Sequence, residues 1–181
     1  MKKQLLYLSA AAMVVLSGCG NDTSSDKEGS HEEMNHGGSH SSSGEIPEGL
    51  KEATNPTFEV GSKATITNDH MKGMKDAEAT IVGAYDTTVY TITYTPTTGG
   101  EKVEDHKWII HEEIKDSAAD PYKAGDEVIV EADHMEGMKG ATAIIDSAEQ
   151  TTVYMVDYIS TDSGEEVKNH MWVTESELSA E

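Results

Sequence analysis

The chain contains no arginine, and its thirteen basic residues are lysines set against thirty-four acids, for a formal net charge of −21. No basic patch exists to follow a phosphate backbone, so nucleic acid is excluded as a partner. An anionic membrane surface would repel the chain, and any membrane attachment has to be covalent or hydrophobic. One cysteine among 181 residues rules out a disulfide framework within the molecule. No P-loop, no nucleophile with a neighbouring base and no closed zinc ligand set is present. An enzyme is therefore not expected.

The single cysteine has a context of its own. Lys2 and Lys3 precede an apolar run that ends in small residues at Cys19, the layout of a secretory signal rather than a spanning helix. "LSGC", Leu16 to Cys19, looks like a bacterial lipobox. The expectation is a signal peptide over 1–18, cleavage before Cys19, and a diacylglyceryl thioether on its sulfur. That lipid places the chain at the outer face of the cytoplasmic membrane and removes the thiol from metal or redox chemistry.

Residues 19–56 are rich in Ser, Gly and Glu and almost empty of aliphatic side chains until Ile46. Such a stretch buries too little apolar area to offset its ordering entropy, so a disordered tether is expected. It carries His31, His36 and His40 near Met34, a tract that could also gather soft metal without folding.

Beyond the tether the sequence repeats. Residues 57–117 match 121–181 at a constant offset of 64, with identities such as His70/His134, Tyr90/Tyr154, His106/His170, Trp108/Trp172 and Glu113/Glu177. Within each copy the apolar period is two, as in "TVYTITY" and "TVYMVDY". Four or five short strands in about sixty residues predict an all-β fold of two tandem SH3-like barrels, with an unclosed curled sheet as the alternative.

Each copy holds one loop of unusual composition: "DHMKGMKDA" from Asp69 and "DHMEGMKGA" from Asp133. In a single turn His70 and Met74, or Met71 and Met74, come together, and likewise His134, Met135 and Met138. Thioether and imidazole donors select copper(I), with silver(I) as its mimic, over magnesium, calcium or zinc. Strand alternation places His106 with Trp108, and His170 with Trp172, on one face, where they could complete the site and shield the ion. The competing account makes the methionines a barrel plug and the tryptophans core residues. Met171 and His111 are set aside because their counterparts are Lys107 and Glu175.

The lipobox, the His-rich tether and the doubled "DHMxGMKxA…TTVYxxxY…HxW" pattern resemble the YdhK-type lipoproteins of Gram-positive bacteria. The resemblance spans Gly61 to Leu178. A staphylococcal member is associated with copper export and resistance, so the resemblance implies a lipid-anchored copper-binding protein, with a copper exporter as a partner. A second function class is a cell-envelope or peptide-binding module that uses exposed Tyr and Trp in a groove.

Overall fold

The structure, a computed structural model, describes residues 41–180. The expected signal peptide, Cys19, His31, His36 and His40 lie outside the described residues.

A short β1 (Lys51–Glu52) precedes the repeats. The first repeat supplies β2 (Lys63–Ile66), β3 (Glu78–Tyr94) and β4 (Val103–Ile110), followed by a 3-10 turn at His111–Glu113. The second supplies β5 (Glu127–Ile129), β6 (Thr142–Ile159) and β7 (Glu166–Thr174), then a 3-10 turn at Glu175–Glu177 and β8 (Leu178–Ser179). All pairings are antiparallel in one sheet, which is open. The two closed SH3-like barrels are thus replaced by a single unclosed sheet.

The reason lies in β3 and β6. The expected second and third strands of each copy are one strand, because "AYDTTVY" has neither proline nor glycine to turn the chain, and its β-branched threonines favour extension. A strand that does not turn back cannot close a sixty-residue barrel. Instead β3 pairs along its length with β6, from Ala79↔Tyr158 to Tyr94↔Ala143. The start of each long strand therefore lies beside the end of the other.

Packing follows that exchange. One core joins Ala64, Ile66, Met74 and Ile81 of the first repeat to Tyr154, Val156, Tyr158 and Leu178 of the second. The other joins Tyr90, Ile92, Tyr94 and Ile109 to Val128, Val130, Met138 and Ile145. The repeats of the sequence, 57–117 and 121–181, are not units of packing; each core takes half of both. A third cluster unites Tyr85, Val89, Trp108 and Ile110 with Val153, Met155 and Trp172.

Residues 41–56 of the expected tether are described and pack on the sheet, contrary to the expectation of disorder. Ser42 donates its N–H to the Lys168 carbonyl at 3.0 Å and its hydroxyl to the Asn169 carbonyl at 2.6 Å. Ile46 and Leu50 then pack against the third cluster, and β1 joins β3 at Tyr85 and Asp86. These two aliphatic residues supply the apolar burial that the preceding stretch lacks.

Candidate functional site

The His-Met loops are short irregular segments between β2 and β3, and between β5 and β6. Gly73 and Gly137 sit at φ values of 84° and 76°, where a side chain is disfavoured. A Cβ on Gly137 would lie 2.6 Å from Thr98 Oγ1, and one on Gly73 would collide with Ser160. Each loop thus closes on a turn of the opposite repeat, with the Gly137 carbonyl accepting from Thr97 N–H and the Gly73 carbonyl from Thr161 N–H, both at 2.9 Å.

The methionines of each loop divide. Met74 and Met138 are fully buried, one in each repeat-spanning core, while Met71 and Met135 are half-buried at the edges of the same cores. Sequence spacing had grouped the pair in each loop as ligands; the structure makes Met74 and Met138 packing residues. Full burial of such a side chain stabilises the fold by about 1.5–3 kcal/mol.

His106 and Trp108 do not share a face, nor do His170 and Trp172. The pairing of β3 with β4 slips between Tyr90↔Ile109 and Ile92↔His106, and β6 with β7 slips equivalently between Tyr154↔Val173 and Val156↔His170. An extra residue in the strand breaks alternation. His106 stands edge-on to Tyr94 at 5.9 Å and His170 edge-on to Tyr158 at 5.7 Å, whereas both tryptophans enter the third cluster. Trp108 is 9% exposed and Trp172 0%, so they are core residues rather than shields over an ion.

What the indoles do instead is bond to glutamates that spacing alone did not assign to the site. Glu177 folds back over its turn, and its Oε2 accepts Thr174 N–H at 3.0 Å and Trp108 Nε1–H at 2.9 Å. Its Oε1 accepts Asn68 Nδ2–H at 2.6 Å and lies 3.4 Å from His70 Nδ1. His70 in turn stacks on the buried His170, with ring centroids 6.1 Å apart. The first pocket therefore draws His70 and Asn68 from the first repeat and His170 and Glu177 from the second, with Met71 next to His70 in the chain and packed at the edge of the first core.

In the second pocket Glu113 Oε2 accepts Ile110 N–H at 3.0 Å, while Oε1 accepts from His134 Nε2 at 2.7 Å and from Trp172 Nε1–H at 3.2 Å. Met135 flanks it. The signal for both glutamates was their identity at equivalent positions, Glu113 and Glu177, in a turn whose other residues differ.

The electrostatics follow from these partners. Burial alone would raise the Glu177 carboxyl, but the His70 ring and the Thr174 and Trp108 N–H groups outweigh it and hold the pKa below the usual glutamate value. Burial alone would lower His134, but the Glu113 carboxylate and a backbone hydrogen bond to Trp108 outweigh it and raise the pKa above that of free histidine.

Among the described residues no three His, Cys, Asp or Glu side chains converge at metal-binding distance. A metal held at either pocket would take a thioether into its ligand set. The donors fit that demand: His70, Met71 and His170 in the first pocket, His134 and Met135 in the second. Such a set suits a soft monovalent ion.

Comparison with known proteins places these features. A family model described as "Protein of unknown function (DUF1541)" matches twice, over residues 60–111 and 124–175. The chain is 58% identical over 187 residues to the uncharacterized protein YdhK of Bacillus subtilis, covering 99% of this chain and 89% of that one. It is similar to the crystal structure of a DUF1541 family protein, YdhK of B. subtilis, with a TM-score of 0.77 and 64% identity, covering 83% of this chain and all of that one. A solution NMR structure of the YdhK C-terminal domain matches with a TM-score of 0.66 and 66% identity, over 68% of this chain and 94% of that one.

Proposed function

The chain belongs to the DUF1541 family, carrying the repeat twice in tandem, and on that footing we propose that it is a lipid-anchored, extracytoplasmic copper(I)-binding protein that sequesters copper without turnover. The observation that carries the reading is the stacking of the half-buried His70 of one repeat on the buried His170 of the other, with Met71 next to His70 in the chain and half-buried at the edge of the first core. Two stacked imidazoles with a thioether on the adjoining residue suit a soft monovalent cation better than a hard divalent one. The charge of −21 gathers cations near the surface over roughly 10 Å at moderate salt. The lipobox at Leu16–Cys19 supports attachment to the outer face of the cytoplasmic membrane through Cys19, where the protein buffers copper and contributes to copper resistance. A copper exporter in the same membrane is the proposed partner.

The envelope-binding alternative calls for aromatic side chains exposed in a groove. Tyr85, Tyr90, Tyr94, Tyr154, Tyr158 and both tryptophans are buried instead.

The test is a copper(I) titration of the full chain in detergent against a competing chelator. Met71→Leu with Met135→Leu weakens binding at least tenfold, while Met74→Leu with Met138→Leu leaves affinity unchanged. Equal affinity in the parent and the Met71/Met135 double variant would sink the assignment.

A further inference from the structure

Glu113 and Glu177 hold equivalent positions, yet their histidines meet them differently. His134 Nε2 is bonded to Glu113 Oε1 at 2.7 Å, and the same ring makes a backbone hydrogen bond to Trp108. His70 Nδ1 lies 3.4 Å from Glu177 Oε1, a longer and weaker contact than the one His134 makes. The residue two positions earlier separates the cases: Asn68 in the first loop, Ala132 in the second.

Asn68 is fixed at both ends of its amide. Its Oδ1 accepts the N–H groups of Asp69 at 2.7 Å and His70 at 3.1 Å, while Nδ2 donates to Glu177 Oε1 at 2.6 Å. It therefore takes the carboxylate oxygen that histidine takes in the other pocket. The indoles register the same change, since Trp108 bonds Oε2 of its glutamate whereas Trp172 shares Oε1 of its own with His134. Ala132 is buried and has no amide to offer, so Glu113 Oε1 is left to the imidazole.

Resting on the copper reading above, we propose that Asn68 is a positioning residue that makes the two pockets unequal, so that the His70–His170 pocket loads a soft cation before the His134 pocket does. A soft ion needs an imidazole lone pair. In the second pocket the ring must first break a 2.7 Å bond to Glu113, whereas in the first pocket Asn68 holds the Glu177 oxygen at 2.6 Å and leaves His70, stacked on His170, only a 3.4 Å contact to give up. A hydrogen bond to a charged group of ordinary strength corresponds to about tenfold or more in relative affinity.

The test uses the full chain in detergent with isotope-labelled histidine and silver(I) as the probe. Below one equivalent, the His70 and His170 ring signals shift while His134 stays in place. Asn68→Ala removes that order and weakens the first step about tenfold; Ala132→Asn, which transplants the amide, strengthens the second. A His134 response ahead of His70, or an unchanged order in Asn68→Ala, overturns the proposal. A metal-free arm separates this idea from the copper reading. The parent shows a slowly exchanging imidazole N–H proton for His134 and none for His70, and Asn68→Ala adds one for His70. Absence of any silver response overturns both the copper reading and the loading order, whereas a missing His70 proton in Asn68→Ala overturns the positioning role alone.

Discussion

Trp108 of the first repeat donates its indole N–H to Glu177 of the second at 2.9 Å. The reciprocal bond, Trp172 to Glu113, spans the repeats in the other direction. Removing Glu177 strands a buried indole N–H, the Thr174 N–H and the Asn68 amide together. Glu177→Ala should cost about 3–5 kcal/mol, read from urea denaturation, with Glu177→Gln milder because one acceptor oxygen survives.

Methionines within one loop should separate by assay. Met74→Ala and Met138→Ala open cavities in fully buried sites and should each cost about 2–5 kcal/mol, while Met74→Leu conserves volume and costs less than about 1.5 kcal/mol. Thermal or chemical denaturation measures both. Met71→Leu should leave stability nearly unchanged.

Gly73 and Gly137 combine a left-handed backbone with close approach to the opposite repeat. Alanine at either position should destabilise by at least about 1 kcal/mol, the larger effect falling at Gly137, where the Pro96 ring and the Thr97 backbone cannot swing aside as the Ser160 hydroxyl opposite Gly73 can. Equal urea midpoints for both variants and the parent would refute this.

Stability should have two limbs in pH. The folded Glu177 pKa lies below its unfolded value, so its contribution is complete above the usual glutamate range and is lost as pH falls through the folded value. The folded His134 pKa lies above its unfolded value, so its contribution is complete below the usual histidine range and is lost as pH rises through the folded value. Urea midpoints should peak between the two ranges. Glu177→Gln removes the acid limb and His134→Gln the neutral one.

Much of this fold was legible in the sequence, for particular reasons. The offset of 64 revealed the repeat, and period-two stretches such as "TVYTITY" revealed strands. The exchange of halves was not legible, because both copies carry the same residue types. Tyr154 beside Ile66 satisfies the same pattern that Tyr90 beside Ile66 would. The failure of alternation around Trp108 and Trp172 has the same character: a bulge adds a residue without changing composition. A faint clue stands just before each bulge, where Asp105 and Asn169 adopt φ of 52°, a region that Asp and Asn tolerate better than most residues. In the site, His70 and His134 were found by composition, but their glutamate partners arrive from the far repeat and no spacing rule could join them.

A chain cut after residue 120 should give no cooperatively folded monomer, because each core would lack half its side chains. Size-exclusion chromatography and amide dispersion in NMR decide this. A compact, dispersed monomer would contradict the shared cores.

The pairing of β3 with β6 also sets a timetable. Synthesis proceeds from the N-terminus, and when residue 117 has been made both cores are still missing the partners that β6 and β7 bring. The first repeat must wait with its apolar faces open until almost the whole chain exists. Contacts of such long sequence separation fold slowly and leave strand edges vulnerable in the interval. The dense negative charge then serves a second end: it keeps half-made chains apart until the later repeat arrives to complete them.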